Sequence, residues 1–385
     1  MHYVAATVLA LPWIVPPIVT YLRLRRSRSL ESESDVPPSG APLVSVILPA
    51  RNEAHNIGRC IESILSTSYP NLELIVVDDS STDGTADVAR RSIKGDPRAR
   101  VVANASLPEG WFGKQWACTT GAKVAHGEIL QFTDADTVHS VDLVTRSINA
   151  MRHTGADLFS IAGRQELGGF WERIIQPQVF TILSMRYGGT ESVNKSTLVA
   201  NKIANGQCIF VRREAYDSIG GHSAVRTSVA EDLMLAQKFF AARKRVILML
   251  GVSQLSTRMY ASLREIINGW RKNVFAGGLD SVPFGKMGQT IFPLVLLTPP
   301  LMELFPVIAL IAGALGFLTP GIMLWAAIAA GATLAWWIVV YATIRENPLY
   351  ALLYPLGALM LLYIFVTAVL RGRKVSWKGR TYIAQ

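Results

Sequence analysis

The sequence predicts an α/β domain with a mostly parallel β-sheet and membrane-spanning helices at both ends of the chain. Of its residues, 50% are hydrophobic and only 17% are charged, which is too apolar for an ordinary soluble protein. The longest apolar stretches lie near the two ends. Between them, short apolar runs alternate with segments of helical periodicity, a pattern typical of parallel sheets with helical crossovers.

Composition excludes several classes of protein. A chain this apolar is not disordered, because burial offsets the entropy lost on ordering. The three cysteines, Cys60, Cys118 and Cys208, are an odd number without metal-ligand spacing, so we expect reduced thiols and no disulfide framework. The net charge of +10 comes without a basic stripe interleaved with aromatics, so we expect no nucleic-acid partner.

Residues 1–28 are predicted to form an uncleaved N-terminal membrane anchor. Tyr3 to Leu22 is almost wholly apolar and matches the ~20 residues that a helix needs to cross a bilayer. Four arginines follow it, where a signal peptide would carry its charges before the apolar stretch. By the positive-inside rule, the polar linker 29–42 and the domain after it face the cytoplasm. We therefore expect a cytoplasmic membrane protein.

The C-terminal part is predicted to return to the membrane. An interfacial segment, 259–290, precedes three apolar stretches within 291–370, and a basic tail, 371–385, follows. Three crossings would leave this tail outside, which the charge rule disfavours. A first stretch broken at Pro299-Pro300 and re-entrant would return the tail to the cytoplasm, and we expect this multi-pass topology.

The polar middle, 43–258, is predicted to be the α/β domain. Val44 to Leu48 and Leu72 to Val77 are apolar runs of strand length, and Ile129 to Phe132 is another. Ile57, Cys60, Ile61, Ile64 and Leu65, listed by their helical spacing, predict an amphipathic helix between the first two strands.

Acidic clusters follow these strands, at the edge where open α/β sheets bind ligands. They are Arg51-Asn52-Glu53, Asp78-Asp79 and Asp134-Ala135-Asp136. Taken singly, Asp78-Asp79 is interpreted as a helix-capping turn. Asp134 and Asp136 could be solvated charges at a strand end, but the apolar strand before them favours metal binding. Taken together, the clusters would repel one another without a cation. Neither a P-loop nor a G-x-G-x-x-G motif occurs, so we expect a nucleotide diphosphate held by a divalent cation.

These motifs resemble those of the family 2 glycosyltransferases, over Leu43 to about Gly278. The resemblance is carried, in the usual order, by Val-Ile-Leu-Pro-Ala-Arg-Asn-Glu at 46–53, Val-Asp-Asp-Ser-Ser-Thr-Asp-Gly-Thr at 77–85, Asp134-x-Asp136 and Glu231-Asp232. It implies a GT-A fold, a Rossmann-like nucleotide-sugar-binding domain. Trp111 to Ala117, Asn205-Gly206-Gln207, Gly269 to Asn273 and the ending Trp377-Lys378-Gly379-Arg380 are similar to membrane enzymes that glycosylate hopanoid or carotenoid lipids.

The resemblance implies a role for each candidate residue on the donor side. Pro49, Arg51 and Glu53 would line the base and ribose, with Asp78 beside Asp79, which would contact the base. Lys114 would approach the diphosphate, although a snorkelling side chain between two tryptophans is an equal alternative on the residues alone. Asp134 and Asp136 would hold the sugar nucleotide and Mg²⁺ or Mn²⁺.

On the acceptor side, the resemblance implies Asp232 as general base with Glu231 as its helper, although both also suit the first turn of a helix. Asn205 and Gln207 would hydrogen-bond the donor sugar or the acceptor. His222 after two glycines is interpreted as a satisfied loop histidine.

Two further segments are assigned to the membrane surface. Trp270 and Arg271 are expected near the donor diphosphate or the acceptor mouth, because an indole beside two cations precedes the apolar stretches. Phe170 to Tyr187 carries Arg173 and Arg186 on its polar side, which is typical of an interfacial helix. We expect a lipid acceptor to enter over this helix.

The predicted function is an inverting transfer of a hexose, by default glucose from UDP-glucose, to a hydrophobic lipid acceptor. A processive polysaccharide synthase is the first alternative. Two observations argue against it: few apolar stretches follow the domain, and the family's Q-x-x-R-W motif is not reproduced, since Trp270 precedes Arg271 here. A catalytically silent membrane scaffold is the second alternative. The presence of both Asp136 and Asp232 favours an enzyme.

Overall fold

A computed structural model describes residues 2–282, 285–372, 374–377 and 380–383. Lys378 and Gly379 of the C-terminal motif lie outside these residues. The chain divides into two compact units. The helical unit comprises Met1–Arg26, Leu167–Gly189 and Tyr260–Gly372, and the sheet unit comprises Ser27–Glu166, Thr190–Met259 and Arg373–Gln385.

Helices and strands alternate through the sheet unit, as the apolar periodicity predicts. The strands are β1 (Val44–Ala50), β2 (Leu72–Asp78), β3 (Ala99–Ala103), β4 (Ile129–Thr133), β5 (Thr137–His139), β6 (Leu158–Ala162), β7 (Arg164–Gln165), β8 (Cys208–Arg212), β9 (Val246–Leu250), β10 (Leu255–Thr257), β11 (Lys374–Trp377) and β12 (Arg380–Ile383). The α-helices are α1 (His2–Leu24), α2 (Ile57–Leu65), α3 (Thr85–Ile93), α4 (Gly113–Val124), α5 (Leu143–Thr154), α6 (Phe170–Tyr187), α7 (Thr190–Lys195), α8 (Arg213–Ser218), α9 (Glu231–Ala241), α10 (Leu263–Ser281), α11 (Gly285–Ala314), α12 (Pro320–Thr343) and α13 (Tyr354–Arg371).

The main sheet of this unit has seven strands in the order β3-β2-β1-β4-β8-β6-β9. The β1–β2, β1–β4, β2–β3 and β6–β9 pairs are parallel, whereas β8 is antiparallel to both of its neighbours. The prediction of a mostly parallel sheet is therefore confirmed. Two smaller sheets, β5-β10-β7 and the hairpin β11-β12, complete the strands of the described residues.

Apolar side chains cover both faces of the main sheet, which is why its strands are apolar runs without alternation. One buried cluster contains Val46 and Leu48 with the inward face of α2. The other contains Ile47 with Ala117 of α4 and Leu235 of α9. Adjacent residues of β1 thus face opposite layers, as the two-residue period of a strand requires.

In the helical unit, α1 packs against the C-terminal helices. The indole of Trp13 donates to the carbonyl of Met302 at 2.7 Å and meets the ring of Trp325 edge-on at 5.3 Å. The N-terminal anchor and the C-terminal apolar helices therefore form one packed bundle.

Helix α6 also belongs to the helical unit, although it lies between strands of the sheet unit in sequence. Tyr341 of α12 donates its hydroxyl to the carbonyl of Arg173 at 2.7 Å, and Arg173 pairs with Glu346 at 3.0 Å. Gly357 of α13 permits close approach, because a Cβ there would lie 2.9 Å from the carbonyl oxygen of Ile174. The expected helix at 170–187 is confirmed, while the predicted continuous domain 43–258 is interrupted by it.

Helix α11 is continuous from Gly285 to Ala314, with Pro299 and Pro300 inside it. The prediction that this stretch is broken at the proline pair is wrong. Neighbouring helices and the shared apolar environment allow proline inside such helices. Within the described residues, four segments are long and apolar enough to cross a membrane: Tyr3–Leu24, Gly285–Ala314, Pro320–Thr343 and Pro348–Arg371.

Candidate functional site

The predicted clusters lie together at one edge of the main sheet. Because β1, β2 and β4 are parallel, their carboxyl ends, Ala50, Asp78 and Thr133, point to the same edge, and Ala50 pairs directly with Asp78. Strand β8 runs the opposite way, so the segment 205–207 that precedes it reaches this edge from the other side of β4. Because of the orientation of β8, Asn205 and Gln207 lie at the same edge of the sheet as the acidic clusters.

Lys114, in the first turn of α4, joins two of these carboxylates. Its Nζ lies 2.7 Å from Asp134 Oδ1 and 2.7 Å from Glu231 Oε1. Burial by itself would lower the pKa of Lys114, but the surrounding carboxylates raise it well above its ordinary value, so the side chain is charged. The alternative of a snorkelling lysine is not supported by this geometry.

Asp232 and Glu231 begin helix α9 but have different partners. Asp232 Oδ2 accepts the backbone N–H of Gly206 at 2.7 Å, and Oδ1 accepts that of Leu233 at 2.8 Å. Burial and the charge of Glu231 raise the pKa of Asp232 to about 6. A Cβ at residue 206 would lie 2.9 Å from Asp232 Oδ2, so glycine is required for this approach.

A small pocket opens between these side chains. It is lined by Pro49, Lys114, Cys118, Phe132, Thr133, Gly206, Ile209, His222, Glu231 and Asp232. The pocket thus brings together the candidate base, the lysine and the end of β1.

Asp136 is the residue that best fits a cation. Its Oδ1 is buried without a hydrogen-bond partner among the described residues. Burial, with the charges of Asp134 and Glu53, raises the pKa of Asp136 to about 8. A divalent cation would satisfy this oxygen and stabilise the ionised carboxylate, so the residues fit such an ion.

The protein supplies only part of a coordination sphere. In the described part of the chain, no group of three or more His, Cys, Asp and Glu side chains is placed to hold a metal. Asp134 and Asp136 would therefore leave most positions of a hard cation to oxygens of a bound molecule or to water.

The residues after β1, β2 and β3 form a second group at the same edge. Arg51 Nη1 donates to the carbonyl oxygens of Asp79 at 2.5 Å and Ser80 at 3.1 Å. Asn104 donates to Asp79 Oδ1 at 3.0 Å. Asp78 Oδ2 accepts the backbone N–H of Ser81 at 3.4 Å, and its Oδ1 is buried without a partner among the described residues.

Two of the predicted polar residues, Glu53 and Asn205, have hydrogen bonds with neighbouring segments. Glu53 accepts from Asn56 at 3.3 Å, and its backbone N–H donates to Thr85 Oγ1 at 2.8 Å. Asn205 donates to the carbonyl of Ile161 at 2.9 Å and to Gln207 Oε1 at 3.1 Å. Asn205 therefore orients the segment that carries Gly206 to Asp232.

Comparison with known proteins agrees with this architecture. The model of the family described as "Glycosyl transferase family 2" matches residues 45–220. The chain contains a glycosyl transferase family 2 domain. Most of the candidate donor residues, from Pro49 to Gln207, lie inside this domain, whereas Glu231 and Asp232 follow it.

Two curated proteins are similar in sequence to this chain. The 4,4'-diaponeurosporenoate glycosyltransferase of Staphylococcus haemolyticus (strain JCSC1435) is 29% identical over 248 residues, which is 62% of this chain and 63% of that protein. The protein of the same name from Staphylococcus aureus (strain USA300) is 29% identical over 245 residues, with the same coverage. The match thus spans less than two thirds of the length of these relatives.

A solved structure shows the fold. The mannosyltransferase PcManGT from Pyrobaculum calidifontis, in complex with GDP-Man and Mn²⁺, superposes with a TM-score of 0.52 and 19% identity, over 96% of this chain and 98% of that one. The sheet unit, with its seven-stranded, mostly parallel sheet, has the predicted GT-A fold.

Trp270 and Arg271 lie in the helical unit, outside the glycosyl transferase family 2 domain. Trp270 is buried, donates to Gln176 Oε1 of α6 at 2.9 Å, and packs against the rings of Phe180 and Tyr260. Arg271 contacts Asn268 at 3.1 Å. These contacts join α10 to α6, which is a packing role that the sequence analysis did not assign.

Several residues of the site were not assigned a role from the sequence. Gly206 contacts Asp232 and Asn104 contacts Asp79 because separate segments meet at the same edge of the sheet. Arg380, from the C-terminal hairpin, also pairs with Asp79. A glycine between two amides was the only local signal. His222 is buried and bonded to Tyr216 at 2.8 Å, as the interpretation of a satisfied histidine expects, yet it lines the pocket.

Proposed function

We propose that this protein is an inverting glycosyltransferase that moves a hexose from a nucleotide sugar to a lipid acceptor of carotenoid type. The observation that carries the proposal is the arrangement of Asp232 beside the Lys114–Glu231–Asp134 group, at the ligand-binding edge of a glycosyl transferase family 2 domain. The names of the relatives support the acceptor class, and four apolar helices suit a substrate that resides in a bilayer. Glucose from UDP-glucose remains the default donor.

Asp232 is the base in this proposal. When the acceptor is a hydroxyl, its oxygen bonds to the anomeric carbon, its proton passes to a carboxylate oxygen of Asp232, and the bond from that carbon to the diphosphate breaks. A pKa of about 6 leaves Asp232 ionised at neutral pH and more basic than an exposed aspartate. The two backbone N–H groups fix its orientation.

Glu231 and Lys114 position the other groups. Glu231 pairs with Lys114, which also pairs with Asp134, so one ammonium connects the acceptor-side carboxylate with the donor-side carboxylate. In this proposal the charged ammonium also approaches the diphosphate of the donor. Glu231 is accordingly a positioning residue, and Asp232 remains available to the acceptor.

Mg²⁺ or Mn²⁺ would be held by Asp136 and Asp134 in this proposal. When bound, the cation would supply Lewis acidity that neutralises the diphosphate as it leaves. The buried, unpartnered Asp136 Oδ1 is the feature that supports this assignment.

The test is to incubate membranes containing the protein with several labelled nucleotide sugars, and to extract lipid and polymer separately. Label in a carotenoid-type lipid is expected, and label in a hopanoid would change the acceptor class. Label in polymer would instead support a processive synthase. No label in either fraction, with the protein folded and carotenoid acceptors supplied, would support a scaffold.

A matched control compares Asp232→Asn with Asp217→Asn. Asp217 lies on helix α8 of the same unit, at a position that contributes nothing to the pocket. Loss of labelling in Asp232→Asn alone connects the activity to the site rather than to a contaminating enzyme.

A further inference from the structure

The C-terminal hairpin β11–β12 belongs to the sheet unit, although the chain passes through the helical unit before reaching it. Its Arg380 places Nη1 2.5 Å from Asp79 Oδ2, across 301 residues of sequence. Arg380 lies outside the matched family domain, which ends at residue 220. The contact thus adds a distant residue to the edge where the donor is proposed to bind.

Asp79 is enclosed on several sides. Asn104 donates to Oδ1, Arg380 occupies Oδ2, and Arg51 holds the backbone carbonyl. The side chain of Asp79 is 3% exposed, whereas that of Arg380 is 21% exposed. A molecule that approaches the end of β2 therefore meets the guanidinium and not the carboxylate beneath it.

A guanidinium held in this way is suited to a phosphate. Its planar fork presents several N–H donors, and a buried carboxylate on one side fixes the direction of the others. The paired charge also lowers the cost of keeping the arginine partly buried. The side chain of Asp79 by contrast is almost wholly covered, so little of it is accessible to a base while Arg380 is in place.

We propose that Arg380 binds the nucleoside diphosphate part of the donor, and that Asp79 is the positioning residue that holds it. This inference rests on the proposed function and revises one role within it: Asp79 acts through Arg380 instead of contacting the base directly. The C-terminal tail is then part of the donor site and more than a basic flank of the membrane helices.

The test measures the affinity of the full-length protein for UDP, GDP, CDP and ADP, without acceptor. For the nucleotide that binds best, Arg380→Ala is expected to weaken binding about 10- to 100-fold, the effect of losing one or two charge-assisted hydrogen bonds. Arg380→Lys is expected to recover part of the loss, because it keeps the charge but not the fork. Arg91→Ala, which removes the same charge from the exposed face of α3, is the matched control and leaves binding unchanged.

The positioning role has its own readout. Asp79→Asn is expected to weaken binding less than Arg380→Ala, and the double variant no more than Arg380→Ala alone, since both changes act on one contact. The melting temperature of each variant checks that the sheet unit remains folded.

Three results would overturn the inference. Unchanged affinity in a folded Arg380→Ala protein would remove Arg380 from the donor site. Tighter binding in Arg380→Ala, with loss of base preference in Asp79→Asn, would make Arg380 a strap that competes with the base. A wild-type protein that binds none of the four nucleotides would overturn the proposed function itself, and this inference with it.

Discussion

Asp232 and Glu231 illustrate how two adjacent carboxylates acquire different properties. Both belong to the first turn of α9, but only Glu231 lies within 2.7 Å of the Lys114 ammonium. Asp232 is held by uncharged backbone N–H groups, and its pKa is raised to about 6 by burial and by Glu231. Of the two, Asp232 is therefore the stronger candidate for a base.

Asp232→Asn is expected to lower turnover about 10²–10⁴-fold, the usual contribution of a general base, while nucleotide affinity changes little. Glu231→Gln should lower turnover less, because it weakens the hold on Lys114 without removing the base. Turnover and nucleotide binding are measured for both variants. A larger loss of turnover in Glu231→Gln would exchange the two roles.

The pH dependence of kcat/KM provides a second test of Asp232 as the base. Because the base must be ionised, kcat/KM of the wild type should fall as the pH decreases through about 6. In Asp232→Asn the residual activity should no longer show this limb. An unchanged acidic limb in the variant would assign it to another group.

Asp136 leads to the prediction of metal dependence. Excess chelator should abolish turnover, and Mg²⁺ or Mn²⁺ should restore it, because Asp136 Oδ1 is otherwise buried without a partner among the described residues. Asp136→Asn should weaken Mn²⁺ binding, measured directly by its electron paramagnetic resonance signal in the presence of nucleotide. Full turnover in chelator would show that the lysine and backbone groups suffice for the leaving group.

At the scale of the elements, polar groups join the beginnings of three strands at the edge opposite the site. Glu73 of β2 accepts from Ser45 of β1 at 2.6 Å and from Arg100 of β3 at 2.9 Å. It also accepts from the backbone N–H of His126 at 2.6 Å, and the ring Nδ1 of His126 lies 3.3 Å from Glu73 Oε2. Burial by itself would raise the pKa of Glu73, but these hydrogen bonds lower it to about 2. The network therefore favours the ionised form and fixes the register of the strands.

Glu73→Gln is expected to destabilise the sheet unit by about 1–3 kcal/mol near neutral pH, because Arg100 loses its charged partner inside a hydrogen-bonded network. The folded-state pKa lies below the unfolded value, so the stabilisation is present above about 4.5 and is lost as the pH falls toward about 2. Thermal unfolding in detergent at several pH values should show the two proteins converging in acid.

Glu62→Gln is the matched control for this prediction. Glu62 also pairs with a cation, Lys94, at 2.8 Å, but both side chains are more than half exposed, at 54% and 73%. An exposed ion pair contributes little, so the control should unfold like the wild type. An equal effect of both substitutions would mean that burial of Glu73 is not the cause.

At the scale of the whole molecule, the tail and the sheet unit must lie on the same side of the membrane for Arg380 to reach Asp79. Helices α11, α12 and α13 separate them, and each is part of a segment apolar and long enough to cross. Three full crossings would put the tail on the other side. We therefore predict that an even number of these helices cross, which is the topology that the positive-inside rule favours for the basic tail.

A reporter fused after the last residue shows on which side of the membrane the tail lies. A fluorescent protein fused there should be active in the cytoplasm, and a phosphatase that needs the periplasm should be inactive; the same pair inserted after Ser34, in the linker before β1, provides the reference. Opposite locations of the two positions would contradict the contact between Arg380 and Asp79.

Much of this protein follows from its local sequence pattern. Apolar runs and helical spacing predicted β1, β2, β4 and the helix α2, and the parallel arrangement predicted that the residues after β1, β2 and β4 would share an edge. Helices long and apolar enough to span a membrane were also predicted, from the length and hydropathy of the apolar stretches. These features depend on neighbouring residues or on a general geometry of sheets, so a single sequence contains the necessary information.

Only the tertiary structure decided the contacts between distant segments. The antiparallel β8 brings Gly206 to Asp232, α6 joins the helical unit through Trp270, and the hairpin returns Arg380 to Asp79. The continuity of α11 through its prolines likewise differed from the expectation based on local propensity. Such pairings depend on the packing of the complete chain, in which burial and charge are shared by residues whose separation in sequence carries no periodic signal.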